Sequence, residues 1–242
     1  MNLIIDIGNT RVKTAVFEQD TIIKFHDFNK NRIITEVEKI IKNYNIIAAI
    51  VSSVSSISSK KIKKLQELVE LTIVSSEIKT PFKNLYSTPN TLGVDRIALV
   101  FGAVIKYPNQ NVLIIDAGTC ITYDFINKKQ EYLGGAISPG VEMRYKSLHK
   151  FTSKLPLLEK DKPENFIGNS TKESINSGVV NGLIQEINGV IEQYKKKYSD
   201  LTVVLTGGDT NFLSKQLKSS IFANQNFLLK GLNEILIFNK NK

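Results

Sequence analysis

Two segments of this chain end an apolar run with an aspartate, followed by a glycine and small polar residues: LIIDIGNT at residues 3–10 and LIIDAGT at residues 113–119. The aspartates, Asp6 and Asp116, lie 110 positions apart in a chain of 242 residues. A buried strand avoids an unpaired charge, so an acid at this place indicates the rim of a sheet. The duplication predicts two similar halves, each offering a carboxylate and a glycine turn to something between them.

The elements predicted around these segments follow one order in both halves: three strands, a helix, a strand and a helix. Alternation and β-branched residues predict strands at NLIIDI, VKTAVFE and TIIKFHDF, and helical spacing of apolar residues predicts a helix at RIITEVEKIIKNY. In the second half the strands are NVLIIDA, CITYDFI and EYLGGAI, and a long helix is expected from about Thr171 to Lys197. This order predicts an α/β fold with mixed sheets.

The boundary between the halves is expected at YPNQN, residues 107–111, where a proline and polar residues interrupt the pattern. The division gives an N-terminal domain of residues 1–110 and a C-terminal domain of residues 111–242.

The net charge of +9 comes from 32 Lys and Arg against 23 Asp and Glu. The basic residues are spread through predicted helices, as in SSKKIKKLQELVEL and QYKKKYSD, rather than gathered with aromatic residues. We therefore expect no primary role in nucleic-acid binding, and a surface that attracts anionic metabolites.

Cys120 is the single cysteine, and His26 and His149 are the only histidines. One cysteine cannot form an internal disulfide, and we interpret it as a small buried residue rather than a nucleophile. The scarcity of His and Cys argues against a zinc site. With a strand-like run at its start and no apolar run of membrane-spanning length, the chain is expected to be cytoplasmic, with no signal peptide and no membrane partner.

The two glycine turns are suited to phosphate. Gly8 and Gly118 permit a tight turn and close approach of a phosphate to backbone N–H groups. Thr10 and Thr119 offer hydroxyl hydrogen bonds to phosphate oxygens. For one copy alone, a structural turn beginning with Asp explains the pattern as well, but the duplication favours phosphate binding.

The carboxylates of Asp6 and Asp116 repel phosphate, so their expected role is to hold Mg²⁺ or its water shell against it. Lys13, on the strand after the first turn, is expected to neutralise phosphate charge.

The segment TGGD, residues 206–209, also follows a strand and precedes a helix. Gly207 and Gly208 allow a flat group or a ribose to lie against the backbone. An ordinary strand-to-helix turn capped by Asp209 explains the segment equally well.

The segment LGVDRIA places Gly93 before an apolar helix, with Asp95 and Arg96 in the first turn. Tyr86 lies in the loop before it. An acid, a cation and a phenol in one region suit a substrate with a hydroxyl to deprotonate and a carboxylate to anchor.

Together these motifs resemble the type III pantothenate kinase family, within the acetate and sugar kinase, heat-shock-protein and actin superfamily. The similarity rests on DIGNTRVK, YSTPNTLGVDR, DAGTCITYDF, GGAISPG, KLPLL, GNSTKESINSG and TGGD, in the family's order and spacing. It implies two ribonuclease-H-like domains, each a five-stranded mixed sheet flanked by helices, with the active site in the cleft between them. It also implies ATP-dependent phosphorylation of pantothenate, the first step towards coenzyme A.

The resemblance implies roles for individual residues. ATP would be bound by the first turn and by residues of the second half, namely Asp6, Ile7, Gly8, Asn9, Thr10, Arg11, Val12, Lys13, Thr119, Gly207 and Gly208. Asp6 would lie near Mg²⁺, and Asp116 would bind a monovalent cation, K⁺ or NH₄⁺. Pantothenate would contact Tyr86, Gly93, Val94, Asp95, Arg96 and Thr171, with Asp95 as proton acceptor.

The family resemblance also implies a homodimer in which Thr171 reaches the partner's site. The long helix has a broad apolar face that a two-fold interface would bury; its members are Ile175, Val179, Val180, Leu183, Ile187, Val190 and Ile191. A monomer with this helix at the centre of its own core explains the same pattern.

Two other functions remain open from the sequence. One is another kinase or a polyphosphate hydrolase of the same superfamily, which keeps the two turns but needs no GVDR. The other is a non-catalytic regulator that binds nucleotide or DNA through its basic surface.

Overall fold

The computed structural model describes residues 1–8, 11–53, 57–217 and 219–240. The chain forms two compact units, each described by itself below. The first comprises Met1–Pro108 with Asn226–Lys242, and the second comprises Asn109–Gln225.

The first unit is built on a five-stranded mixed sheet in the order β3-β2-β1-β4-β5. Strands β1 to β3 form an antiparallel meander, and β4 and β5 continue it in parallel, because helical crossovers precede them. The elements are β1 (Asn2–Ile7), β2 (Arg11–Glu18), β3 (Thr21–Asn29), α1 (Ile33–Asn43), β4 (Ala48–Ser53), α2 (Ser59–Leu68), β5 (Leu71–Ile73), β6 (Lys83–Asn84) and α3 (Val94–Lys106), with 3₁₀ turns at Lys30–Arg32 and Pro89–Thr91.

The two faces of this sheet have different partners, because side chains alternate along a strand. Leu3, Ile5 and Ile7 form one core with α1 and α2. Asn2 lies on the opposite face and donates a hydrogen bond from its side chain to Asn233 Oδ1 at 3.1 Å. Asp6 shares that second face by alternation.

The C-terminal helix α8 (Phe227–Lys240) belongs to the first unit. The expected domain of residues 111–242 assigned it to the second half, and this part of the expectation is wrong. Helix α8 packs on α3, and the crossing is close: a Cβ on Gly231 would lie 2.1 Å from the carbonyl oxygen of Ala98. Glycine therefore permits the two helices to approach at this point.

The second unit repeats the arrangement, with strands in the order β11-β10-β7-β8-β9. Strands β7 to β9 form the antiparallel meander, and β10 runs parallel to β7 as β4 does to β1. The elements are β7 (Asn111–Ala117), β8 (Cys120–Ile126), β9 (Glu131–Pro139), α4 (Val141–Phe151), α5 (Thr171–Asn176), α6 (Gly182–Lys197), β10 (Leu201–Thr206), α7 (Thr210–Ser214) and β11 (Phe222–Ala223). The expected α/β fold with two similar mixed-sheet halves is confirmed.

The expected long helix is present as α5 and α6, joined by a π-helical segment at Ser177–Asn181. Its broad apolar face packs inside the second unit: all its predicted members are buried except Val190, which is partly buried. The apolar face is therefore covered within its own unit and needs no second chain to bury it. This part of the reasoning for a dimer is wrong.

None of the helices in the described ranges combines the length and the apolar character needed to cross a membrane.

Candidate active site

The first turn joins β1 to β2, and Gly8 donates its N–H to the carbonyl oxygen of Arg11 at 3.0 Å. Ile7 and Val12 flank the turn and are fully buried in the core, so their side chains fix the turn to the sheet and are not available to a ligand. The guanidinium of Arg11 binds Asp27, with Nε 2.6 Å from Oδ1. The candidate residues Asn9 and Thr10 lie outside the described residues.

Asp6 lies between two polar neighbours on the same face of the sheet. Its cross-strand partner on β2 is Lys13, and its partner on β4 is Ser52. Burial raises the pKa of Asp6 from 3.8 to about 7; Lys13 opposes the rise and the charge of Asp95 adds to it. Asp95 is therefore close enough to Asp6, within the same unit, for its charge to act on the turn carboxylate.

The segment GVDR forms the start of α3. Asp95 Oδ1 accepts a hydrogen bond from the backbone N–H of Arg96 at 2.8 Å. A Cβ on Gly93 would lie 2.4 Å from the same Oδ1, so a side chain there would displace the carboxylate. Arg96 is buried, and its guanidinium carbon lies 5.4 Å from the ring centroid of Tyr86. The acid, cation and phenol expected together are brought together.

The second turn, residues 117–120, joins β7 to β8, and Gly118 donates its N–H to the carbonyl oxygen of Cys120 at 2.9 Å. Three residues separate the paired Ala117 and Ile121, whereas four separate the corresponding pair of the first turn. Thr119 is exposed at the tip. The second turn is therefore one residue shorter than the first.

Asp116 has a threonine as its cross-strand partner on each side, where Asp6 has a lysine and a serine. Its partner on β8 is Thr122 and its partner on β10 is Thr206. The Oγ1 atom of Thr122 is buried and makes no hydrogen bond within the described part of the chain. Carboxylate and hydroxyl oxygens are ligands that suit a hard cation. The sequence analysis did not find Thr122 and Thr206, because only the strand register places them beside Asp116.

The TGGD segment contacts the second turn. Gly207 has a φ of +95°, and a Cβ there would lie 2.3 Å from the carbonyl oxygen of Ala117 and 2.4 Å from Asp116 Oδ1. The N–H of Asp209 donates to that carbonyl at 2.9 Å, while its carboxylate pairs with Lys160 and makes no capping hydrogen bond. The alternative of a turn capped by the Asp209 side chain is therefore wrong.

Gly208 faces open space, with nothing within 4 Å of an added Cβ. Lys160, the partner of Asp209, had no sequence signal, since it lies in a polar, charged loop 49 positions away.

Thr171 lies apart from these contacts, exposed at the start of α5. Ser170 caps the helix by accepting the N–H of Glu173 at 3.3 Å. Thr171 lines an open depression of about 880 Å³ together with Arg144, Leu155 and other residues of the second unit.

Comparison with known proteins identifies the family. A sequence model of type III pantothenate kinase matches residues 2–193. The type III pantothenate kinase of Christiangramia forsetii is 51% identical over 241 residues, covering 99% of each chain. That of Flavobacterium johnsoniae is 46% identical over 235 residues, covering 97% of this chain and 96% of the relative.

This chain belongs to the type III pantothenate kinase family. Solved structures agree in fold. A Campylobacter jejuni protein assigned to the Baf family of transcriptional activators superposes with a TM-score of 0.68 at 20% identity, over 99% of this chain and 100% of that one. A ROK family glucokinase from Streptomyces griseus, solved with glucose and AMPPNP, gives a TM-score of 0.53 at 11% identity, over 100% and 99%. At these identities the likeness establishes the fold alone.

Proposed function

We propose that this protein transfers the terminal phosphoryl group of ATP to the primary hydroxyl of pantothenate, as the first step of coenzyme A synthesis. Family membership over nearly the whole chain supports the reaction. The observation that carries the site is that Asp6 and Asp95 lie in one unit, where burial raises the pKa of Asp6 and the charge of Asp95 adds to that rise. One carboxylate precedes a phosphate-type turn, and the other lies in the first turn of the helix of the GVDR segment.

ATP phosphates are assigned to the first turn and to Lys13. The Lys13 ammonium would supply positive charge, while Ile7 and Val12 hold the turn in place from the buried core. Thr119 is assigned to phosphate at the second turn, and Gly207 and Gly208 to the nucleoside. In-line positioning and charge neutralisation are the main requirements of phosphoryl transfer.

A kinase of this family uses ATP with a divalent metal, which we take to be Mg²⁺. Magnesium in such sites is held by one or two carboxylates together with phosphate oxygens and water, and Asp6 provides a carboxylate at the end of a strand. The buried setting of Asp6 fits this role, because a nearby cation offsets the cost of its charge. When bound, Mg²⁺ would neutralise phosphate charge.

Asp95 is assigned as acceptor of the hydroxyl proton of pantothenate. Arg96 is buried and held at Tyr86, which fits an anchor for the substrate carboxylate. Gly93 and Val94 complete the contact through their backbone, since Gly93 leaves room for Asp95.

Asp116 is assigned to a monovalent cation, K⁺ or NH₄⁺. The flanking hydroxyls of Thr122 and Thr206 supply oxygen and no positive charge, and this environment tolerates a cation better than the lysine beside Asp6 does.

A homodimer in which Thr171 completes the partner's pantothenate site, and a cytoplasmic location, complete the proposal. The exposure of Thr171 beside an open depression supports the assignment, because the residue is available to a second chain.

One coupled assay tests the function. ADP formation is measured with ATP and pantothenate, with and without K⁺, and then with glucose or acetate in place of pantothenate. Turnover that requires pantothenate and K⁺ is expected. Turnover with a sugar or small acid alone would transfer the protein to another kinase class, and salt-sensitive DNA binding without turnover would favour a regulator.

A further inference from the structure

Arg144, in the first turn of α4, reaches back to the end of β9. Its Nε donates to the carbonyl oxygen of Pro139 at 2.9 Å, and its Nη2 donates to Ser138 Oγ at 2.8 Å. The planar guanidinium thus joins the start of the helix to the last two residues of the strand.

Glu186 on α6 holds this guanidinium in place. Its Oε2 accepts from Arg144 Nη2 at 2.6 Å, and its Oε1 accepts from the Tyr123 hydroxyl at 3.0 Å. Burial alone would raise the pKa of Glu186, but hydrogen bonds from Ser138, Arg144 and Tyr123 lower it below its ordinary value. The carboxylate therefore remains charged and anchored on both oxygens at neutral pH.

The end of β9, which Arg144 holds, packs directly against the second turn. Pro139 is the cross-strand partner of Cys120, and Gly140 donates its N–H to the carbonyl oxygen of Thr119 at 3.1 Å. A Cβ on Gly140 would lie 2.2 Å from the carbonyl oxygen of Gly118. With backbone packed on backbone, a shift of Pro139 and Gly140 must move Gly118 and Thr119 as well.

We propose that Arg144, anchored by Glu186, is a positioning residue that sets the second turn for ATP. It acts through Pro139 and Gly140 on Thr119, and it does not touch the reacting atoms. The inference rests on the proposed function, because it concerns the nucleotide half of that site. It separates the two substrates: loss of Arg144 weakens ATP binding and leaves pantothenate binding unchanged.

The test compares Arg144→Met, Arg144→Lys, Glu186→Gln and the Arg144→Met/Glu186→Gln double variant of the full chain. Lys146→Met is the matched control, since Lys146 lies on the same helix in an exposed pair with Glu142, with Nζ 3.1 Å from Oε2. Each variant is measured for binding of the fluorescent analogue mant-ATP with Mg²⁺ and without pantothenate, for KM of each substrate, and for Tm.

Arg144→Met is expected to weaken the binding of mant-ATP and to raise the KM for ATP by about tenfold, with the KM for pantothenate unchanged. Arg144→Lys keeps the positive charge but loses the planar guanidinium and its several N–H donors, so an intermediate loss of ATP affinity is expected. Because the two residues act as one unit, the double variant should be no worse than the more affected single variant. Lys146→Met should behave as the unaltered protein.

Unchanged ATP affinity in a folded Arg144→Met protein would overturn the inference. A rise confined to the KM for pantothenate would also overturn it, because Arg144 would then act on the pantothenate site to which Thr171 is assigned. If Arg144→Met does not fold, Arg144→Lys and Glu186→Gln decide by the same criteria. The unaltered protein could bind mant-ATP without phosphorylating pantothenate, while the variants bind mant-ATP more weakly. This result would refute the proposed function and keep the inference.

Discussion

Asp6 and Lys13 are directly paired residues of the antiparallel strands β1 and β2, with side chains on the same face of the sheet. The equivalent partner of Asp116 is Thr122. The duplicated turn therefore carries two different electrostatic environments, an acid beside a cation in the first unit and an acid between two hydroxyls in the second. This difference supports the proposed assignment of Mg²⁺ to Asp6 and of a monovalent cation to Asp116.

The first prediction concerns the stability of the metal-free protein. The folded-state pKa of Asp6, about 7, is above its ordinary 3.8, so its contribution is fully present below pH 3.8 and is lost as pH rises through 7. Asp6→Asn removes this loss, and each unit of pKa corresponds to about 1.4 kcal/mol. In EDTA, the Tm of Asp6→Asn should exceed that of the unaltered protein at pH 8 and by less at pH 5, while kinase activity is lost. A Tm difference independent of pH would contradict the electrostatic assignment.

The second prediction concerns Asp95. Replacement by Asn should lower kcat by roughly 10²–10⁴-fold, the usual contribution of a general base. Binding of mant-ATP should persist, since the phosphate contacts lie elsewhere. If Asp95 serves only the helix N-terminus, the change would cost about 1 kcal/mol in stability and leave turnover intact. Steady-state kinetics alongside thermal unfolding distinguishes the two roles.

The third prediction concerns Asp116. Activity should depend on K⁺ or NH₄⁺, with Na⁺ a poor substitute, and Asp116→Ala should remove that dependence with most of the activity. Thr122→Val keeps the shape and removes one hydroxyl, so it should raise the K⁺ concentration needed for half-maximal rate. Equal rates in sodium-only and potassium buffers would remove the monovalent cation from this site.

The fourth prediction uses the adjacent glycines of TGGD as a matched pair. Gly207→Ala places a Cβ against Ala117 and Asp116 at a positive φ, so it should destabilise the second unit by roughly 2 kcal/mol. Gly208→Ala has open space and should leave Tm nearly unchanged. If Gly208→Ala nevertheless weakens the binding of mant-ATP, the nucleoside lies against Gly208. If mant-ATP binding is unchanged, that assignment fails.

The fifth prediction tests the shared site. Thr171 is exposed, so Thr171→Trp should fold normally and block pantothenate only if this residue lines the site. Mixing Asp95→Asn chains with Thr171→Trp chains, each inactive alone, should restore activity, because one site of each heterodimer then carries both intact residues. A dimer by light scattering with no regained activity would keep the assembly and exclude the shared site.

The sequence by itself determined the elements and their doubled order. Alternation in NLIIDI and NVLIIDA and helical spacing in RIITEVEKIIKNY are local signals, and each produced the expected strand or helix. The acid, cation and phenol around GVDR were also readable, because Asp95 and Arg96 are adjacent and Tyr86 lies in the preceding loop.

Only the tertiary structure decided which distant residues meet. Helix α8 joins the first unit because Gly231 and Gly102 allow it to pack on α3, and that fit depends on two backbones far apart in the chain. Thr206 lies beside Asp116, and Glu186 holds Arg144, because strand register and helix packing bring them together across 90 and 42 positions. Local periodicity carries no information about such pairings, since they are set by the packing of whole elements.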